Sequence, residues 1–390
     1  PRVPRRPTPC ATTGSSPRRA MSEQSNQPSP PPASAPRAGS SRKLTRGLAL
    51  SVAAGAALYV LLATGLGEGR AVWQHLRAFS PTVLLLGLLL ASLNYLFRFA
   101  KWQYYLRVLD VNTWPLPAQT RTLQDGQTRP YLRLSDSLLV FFSGFALTVT
   151  PGKVGEVLKS YLLKESHHEP LARTAPIVFA ERLTDLLSLL LLALLGIATW
   201  MSPAQRYFVG MGFALCLGLI LLLTSRSLVY GLLRILQKLP PQRLMTRLCP
   251  KLHELYDSAY LMIRPVPLLL GTVLSIVAWF CECLAFYWVV RGCIDGAQAT
   301  LLLCTFIYAL MTVAGALAFV PGGLGVTEGG MVLMLAQLGG LSSASGVAAT
   351  LVIRVQTLWF AVLLGVLAML LYSRGQHMTV SLDSLQQRDP

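Results

Sequence analysis

Ala146-Leu147-Thr148-Val149-Thr150-Pro151-Gly152-Lys153-Val154-Gly155 and Ala316-Leu317-Ala318-Phe319-Val320-Pro321-Gly322-Gly323-Leu324-Gly325 say nearly the same thing 170 residues apart. Each breaks an apolar segment with Pro-Gly. Proline cannot extend the incoming helix, and the glycines permit backbone conformations closed to other residues. An acid follows each break, Glu156 or Glu328, and 26 residues beyond it an arginine stands inside the next apolar run, Arg182 or Arg354. Hydrophobic segments interrupted at corresponding positions of two halves point to a transport-type site near the bilayer midplane.

The composition around these stretches is that of a membrane protein. The 390 residues are 53% hydrophobic and 13% charged, with a mean hydropathy of +0.51, whereas soluble domains carry about 25% charged residues. A net charge of +17 raises the question of nucleic acid. The bases, however, lie between apolar runs, as in loops facing an anionic cytoplasmic leaflet, and no compact basic domain remains once the spans are removed. No nucleic-acid partner is therefore expected. The seven cysteines (Cys10, Cys216, Cys249, Cys281, Cys283, Cys293, Cys304) show no metal-ligand spacing and read as small membrane-core residues. No metal and no cofactor are expected. Residues 1–44 form a disordered leader poor in aromatic and branched apolar residues, with Met21 a candidate true start and no secretory cleavage pattern.

A spanning helix needs roughly 20 mostly apolar residues. Six segments qualify, at about 47–66, 81–100, 174–200, 207–224, 266–290 and 345–372. Two more, about 136–150 and 299–319, end at the Pro-Gly breaks, and short second helices follow at about 155–164 and 327–338. Both read as re-entrant hairpins, since non-helical backbone at membrane depth is tolerated where protein or a polar cavity covers it. Lysines and arginines concentrate before residue 47, in 101–135 and in 225–264, which places these regions and both termini in the cytoplasm.

The predicted fold is thus an all-α polytopic membrane protein of two inverted-topology repeats, each of three spanning helices plus one re-entrant helical hairpin. Repeat 1 covers 45–200, and repeat 2 covers 201–372 and includes the basic connection 225–264. A cytoplasmic tail follows at 373–390. Three spans per repeat is an odd number, so the second copy is inserted upside down. The 228–262 connection carries Leu232, Leu233, Leu236 and Leu239 at helical spacing and is expected along the cytoplasmic interface.

The hairpin tips, Pro151, Gly152 and Gly155 in one copy and Pro321, Gly322, Gly323 and Gly325 in the other, supply backbone donors at helix starts. With Lys153 and Lys159 the first tip makes an anion cradle suited to a lipid phosphate. Glu181-Arg182-Leu183-Thr184-Asp185 interrupts the 174–200 span, where ionisable groups need a partner or a wet cavity. Arg182 with Asp185 is an i,i+3 pair, so part of this cluster is self-neutralising. The repeat pairs Glu156 with Arg182 and Glu328 with Arg354, either as pairs that open to admit phosphate or as permanent structural links. Arg98, Lys101 and Trp102 read as an interfacial anchor at the end of the second span. Glu282 has no evident local partner and is expected either to be protonated or to line the pathway, and His167-His168 reads as a solvated turn.

Taken together, Pro-Gly-Lys-Val-Gly-Glu (151–156) continuing to Lys159, Glu181-Arg182, and Pro-Gly-Gly-Leu-Gly-Val-Thr-Glu (321–328) resemble the flippase-like membrane region of lysylphosphatidylglycerol synthases and of the stand-alone bacterial proteins built from it. The likeness covers about residues 45–372. It implies a bacterial inner-membrane protein that moves a phospholipid or polyprenyl-linked lipid between leaflets. With the sequence ending at Pro390, the soluble aminoacyltransferase domain of the bifunctional synthases is not expected, and the chain reads as a non-enzyme. The leading expectation is a translocator of an anionic lipid, with Lys153, Glu156, Lys159, Arg182, Asp185, Glu328 and Arg354 binding the head group. The alternative is a non-transporting membrane subunit that binds lipid or recruits a cytoplasmic or membrane biosynthetic enzyme. A membrane-embedded transferase lacks a nucleophile–base pair or nucleotide motif.

Overall fold

The structure, a computed structural model, describes residues 69–111, 120–122, 128–130, 132–149, 156–167, 169–200, 203–237, 242–318 and 320–386. The leader, the expected first span at 47–66 and the first Pro-Gly tip, with Pro151, Gly152, Lys153 and Gly155, lie outside the described residues.

The described chain is helical apart from one short ribbon. Helix α1 (Gly69–Ala78) precedes the long α2 (Pro81–Val108), and strands β1 (Thr120–Thr122) and β2 (Thr128–Pro130) pair antiparallel. Helix α3 (Leu134–Ser143) tightens into a 3-10 turn at Gly144–Leu147, and α4 (Leu158–His167), α5 (Leu171–Trp200) and α6 (Pro203–Thr224) follow. Next come α7 (Arg226–Gln237), α8 (Gln242–Ile263) and α9 (Pro265–Arg291). Helix α10 (Leu301–Leu317) leads through a turn at Pro321–Gly323 to α11 (Val326–Gly339), and α12 (Ser343–Arg354) passes through a π-helical turn at Val355–Trp359 into α13 (Phe360–Gln386).

Three of these are long and apolar enough to cross a bilayer: α2, α9, and the continuous stretch Ser343–Arg374 through α12 and α13. Their ends follow ordinary capping chemistry. The Ser80 hydroxyl accepts from the Thr82 N–H at 3.3 Å with Pro81 at the first helical position, and Thr300 caps α10 by accepting from the Leu303 N–H at 3.2 Å. Large apolar side chains such as Leu85 (68% exposed) and Leu215 (73%) face outward, as a lipid-facing surface requires.

Helices α2, α5, α9, α10 and α12 share the main core, in which Phe286, Phe306, Cys304, Val289 and Ile353 are fully buried. Acyl chains are as apolar as leucine, so close packing and polar links, rather than escape from water, hold such helices together. The α2–α9 contact shows this: Asn94 of α2 donates to the Ala278 carbonyl of α9 at 2.8 Å within a buried interface. A second cluster joins Trp102 and Tyr105 of α2 to Phe141 and Phe145 of the α3 segment.

Several connections carry more structure than the sequence reading gave them. Residues 67–80, expected as a loop, contain α1, which buries Val72 against Ala344 and Val347 of α12. Helix α2 runs eight residues past its expected end at 100, and α13 continues through the segment expected to be a tail. Connection 225–264 forms two helices, and α8 packs Ala259 and Ile263 onto Leu183 of α5 instead of only lying along an interface. Beyond α9, Asp295 accepts from the Ser342 N–H at 2.7 Å at the start of α12. Burial alone would raise its carboxyl, but donors from Ser345 and Ser342 outweigh that and hold it below the ordinary carboxylate range. This contribution is present above the ordinary carboxylate value and is lost as pH falls through the lowered one.

The final stretch grips both interrupted segments. Helix α12 packs on α11, while α13 packs on α3 and its 3-10 turn. At Gly365 the two backbones touch so closely that an added Cβ would lie 2.2 Å from the Ala146 nitrogen. Gly365→Val should therefore force these segments apart and destabilise the protein by about 1–3 kcal/mol, read as a lowered unfolding temperature in detergent; an unchanged temperature would contradict this packing.

Candidate functional site

The second Pro-Gly element is a helix–turn–helix whose turn needs three left-handed residues, Gly322 (φ 61°), Gly323 (φ 71°) and Gly325 (φ 88°). Any L side chain is strained there. The turn is closed by the charged pair that the sequence spacing pointed to. Arg354 Nε donates to Glu328 Oε1 at 2.6 Å, Arg354 Nη2 donates to the Gly322 carbonyl at 2.7 Å, and Glu328 Oε2 accepts from the Gly325 N–H at 2.7 Å. One guanidinium and one carboxylate thus tie the tip to the last long helix, with Glu328 fully buried.

The first half repeats the arrangement. Arg182 Nη2 donates to Glu156 Oε2 at 2.5 Å, the same 26-residue separation. Glu156 is buried and also lies 3.7 Å from Arg98 Nη2 of α2. The two elements approach each other. Val149, just before the first tip, packs with Leu358 and Leu324, and a Cβ built on Gly322 would sit 3.5 Å from Val149 Cγ1.

A cavity of about 300 Å³ is lined by Arg98, Arg182 and Arg354 together with Asp185, Glu282 and Thr148. Gly322 and Gly323 also border it, and Leu186, Leu189, Val313 and Leu358 make apolar wall. Three guanidiniums from three helices therefore face one partly apolar chamber. Its acids are matched from behind. Asp185 accepts from Lys101 Nζ at 2.6 Å and from Ser275 at 2.9 Å. Glu282 accepts from the Tyr308 hydroxyl at 2.6 Å.

This geometry corrects the sequence reading of Arg98, Lys101 and Trp102 as interfacial anchors. All three are buried, Lys101 at 1% exposure and Trp102 at 0%. The cause is that α2 continues to Val108 and sets these residues beside the polar block of α5, where Asp185 and Glu156 take the cations inward. Lys159, read as part of a phosphate cradle, instead donates to Glu181 at 2.5 Å and sits 4.6 Å above the Trp102 ring. That pair is buried outside the cavity lining. The Arg182–Asp185 contact expected from i,i+3 spacing is present but long, at 3.8 Å. Sequence missed Arg98, Tyr95, Thr148 and Tyr308 as cavity residues; the one signal available was an arginine near the end of an apolar run. Pro321 opens the second turn and is not among the residues that line the cavity.

Residues 47–365 match the family model described as the lysylphosphatidylglycerol synthase transmembrane region. The chain belongs to that family. A UPF0104 membrane protein of Methanocaldococcus jannaschii is 25% identical over 191 residues, covering 49% of this chain and 79% of that protein. One from Methanothermobacter thermautotrophicus is 29% identical over 128 residues, covering 33% of this chain and 37% of that protein. Family membership together with the apolar helices makes the chain a multi-pass membrane protein.

Chemically, the chamber offers fixed cationic donors beside an apolar wall, an arrangement suited to an anionic group carrying an apolar tail. Removing one partner of a buried pair leaves an uncompensated charge. Lys101→Met should accordingly cost about 3–5 kcal/mol, and adding Asp185→Asn should recover most of it. Thermal unfolding of the single and double variants in detergent checks this, and a Lys101→Met protein as stable as the parent would contradict the pairing.

Proposed function

We propose that this protein is an integral membrane lipid translocator that passes an anionic phospholipid or polyprenyl-linked lipid between leaflets. The observation that carries this reading is the convergence of Arg98, Arg182 and Arg354 on one chamber bordered by the Gly322–Gly323 turn. The phosphate of a head group would exchange for the carboxylate contacts of Arg182 and Arg354, while the acyl chains stay in lipid.

In this reading the two Pro-Gly elements are re-entrant hairpins of an inverted repeat, the protein sits in the cytoplasmic membrane with both termini inside, and rocking of one repeat against the other alternates access. Lys153 at the first tip would add a cation to the path. No bond is made or broken, so the protein acts by binding and moving its ligand and not as an enzyme. The alternative, a non-transporting subunit that binds lipid or recruits a biosynthetic enzyme, is favoured by α7, which exposes Leu228, Leu232 and Ile235 beside Arg226 and Arg234.

Reconstitution into liposomes with head-group-labelled anionic lipid separates the two. Wild type should move the label faster than protein-free vesicles. Arg354→Ala should slow it about tenfold or more, the loss of a charge-assisted contact worth roughly 1.5–3 kcal/mol. The exchanged pair Glu328→Arg with Arg354→Glu should fold yet stay slow, because a phosphate needs the guanidinium where it stands. Background rates for wild type and variants alike would leave only the subunit reading, and full activity of the exchanged pair would make the pair a structural link.

A further inference from the structure

Three side chains bordering the chamber keep unused hydrogen-bonding capacity, and they are of opposite kinds. Arg98 is 9% exposed, yet among the described residues its guanidinium makes no hydrogen bond: Glu156 answers it only across 3.7 Å, and the Phe145 ring covers one face. Arg182 Nε is buried and donates to nothing among the described residues. Asp185 is the opposite case. Its Oδ1 accepts from Lys101 and Ser275, whereas the buried Oδ2 accepts no hydrogen bond among the described residues and has Arg182 Nη2 at 3.8 Å. Buried polar groups gain most from a ligand that completes them. This set calls for a ligand that accepts at the arginines and also donates at a carboxylate.

Lipid phosphates differ in that respect. A phosphodiester offers two non-bridging oxygens, both acceptors, and has no proton to give near neutral pH. A terminal phosphate monoester offers three, and because its second proton leaves only at about pH 6, part of it carries a P–OH. Such a group can share three oxygens among three guanidiniums and give its hydrogen to a carboxylate. A diester in the same place would only turn like charge toward Asp185. Glu156 and Glu328, whose arginines would turn to the phosphate, are not among the residues that line the cavity, and Glu328 keeps the Gly325 N–H. Size agrees with the chemistry. A cavity of about 300 Å³ lies at the small end of ligand sites, which suits a bare phosphate better than a head group carrying several sugars.

We propose that the chamber selects lipids ending in a phosphate monoester, with Arg98, Arg182 and Arg354 sharing its oxygens and Asp185 accepting the hydrogen of its P–OH. This names the ligand of the translocator reading given above and rests on that reading for movement. Binding stands apart from it. Two lipid classes carry this head group, phosphatidic acids and polyprenyl monophosphates, and both bring the apolar tail that the Leu186, Leu189 and Val313 wall would meet.

Calorimetric titration of the full-length protein in detergent compares each short-tailed monoester with its own methyl ester: dioctanoylphosphatidic acid with dioctanoylphosphatidylmethanol, and farnesyl monophosphate with farnesyl methyl phosphate. Wild type should hold the monoester about tenfold tighter or more, and the pair bound better names the tail class. Lys101→Met with Asp185→Asn, the double variant expected above to keep the fold, should gain affinity for the methyl ester and bring the ratio close to one. Misfolding cannot produce such a gain. Arg98→Gln should weaken the monoester about tenfold and its methyl ester less. Equal affinities or no binding in wild type, or an unchanged ratio in the double variant, would overturn the proposal. In vesicles, tail-labelled phosphatidic acid should cross between leaflets faster than a head-group-labelled diester, each measured above protein-free vesicles. Selective binding with no movement of any lipid would remove the translocator reading and leave this site standing. Movement of both lipids at one rate, with no binding preference, would remove the monoester selection and leave translocation.

Discussion

A guanidinium or ammonium inside a bilayer must have a carboxylate or hydroxyl within reach, because no water is there to take its charge. That constraint organises this protein. Arg354 is answered by Glu328, Arg182 and Arg98 by Glu156, Lys101 by Asp185, and Lys159 by Glu181. Each pair bridges two elements, so each also acts as a pin: the second turn to the last long helix, α4 to α5, and α2 to α5. In a setting where apolar contact with a neighbouring helix gains little over contact with lipid, these polar pins specify which helices meet.

The pins are not interchangeable. Lys101–Asp185 and Lys159–Glu181 are shut off from the chamber or back onto it from behind, with Lys159 further enclosed by the Trp102 and Phe141 rings. The three arginines keep part of their surface toward the chamber, and the Arg182 side chain is 26% exposed. A buried, fully enclosed pair fixes shape, whereas a pair open on one side keeps a donor available to something else. The candidate site is the place where the two kinds adjoin.

How much of this was legible in the sequence follows from distance along the chain. The Glu–Arg pairs could be read because the repeat displays the same spacing twice and because each joins a turn to the very next long helix. The helical segments followed from apolar run length. Lys101–Asp185 and Arg98–Glu156 were hidden, since they join helices far apart in sequence and since a base at the end of an apolar run has the same composition whether it turns outward to head groups or inward to an acid. Helix α1 and the β1–β2 ribbon escaped for a different reason: they are short and polar, and α1 is held by the tertiary contact of a single residue, Val72. The family match over 47–365 agrees with the part that periodicity could reach.

The π-helical turn at Val355–Trp359 stands directly between Arg354, clasped to one Pro-Gly element, and the stretch around Gly365 that lies on the other. Tyr95 donates to the Thr357 carbonyl at 2.6 Å, and Gln356 reaches the Leu84 carbonyl at 3.2 Å through a notch kept open by Gly87. A π turn holds one residue more than an α turn. Slipping that surplus residue along the rod would rotate the Arg354 clasp by about a quarter-turn relative to the stretch around Gly365, so this one turn sets the rotational phase between the two contacts, and the Tyr95 and Gln356 hydrogen bonds hold it in place.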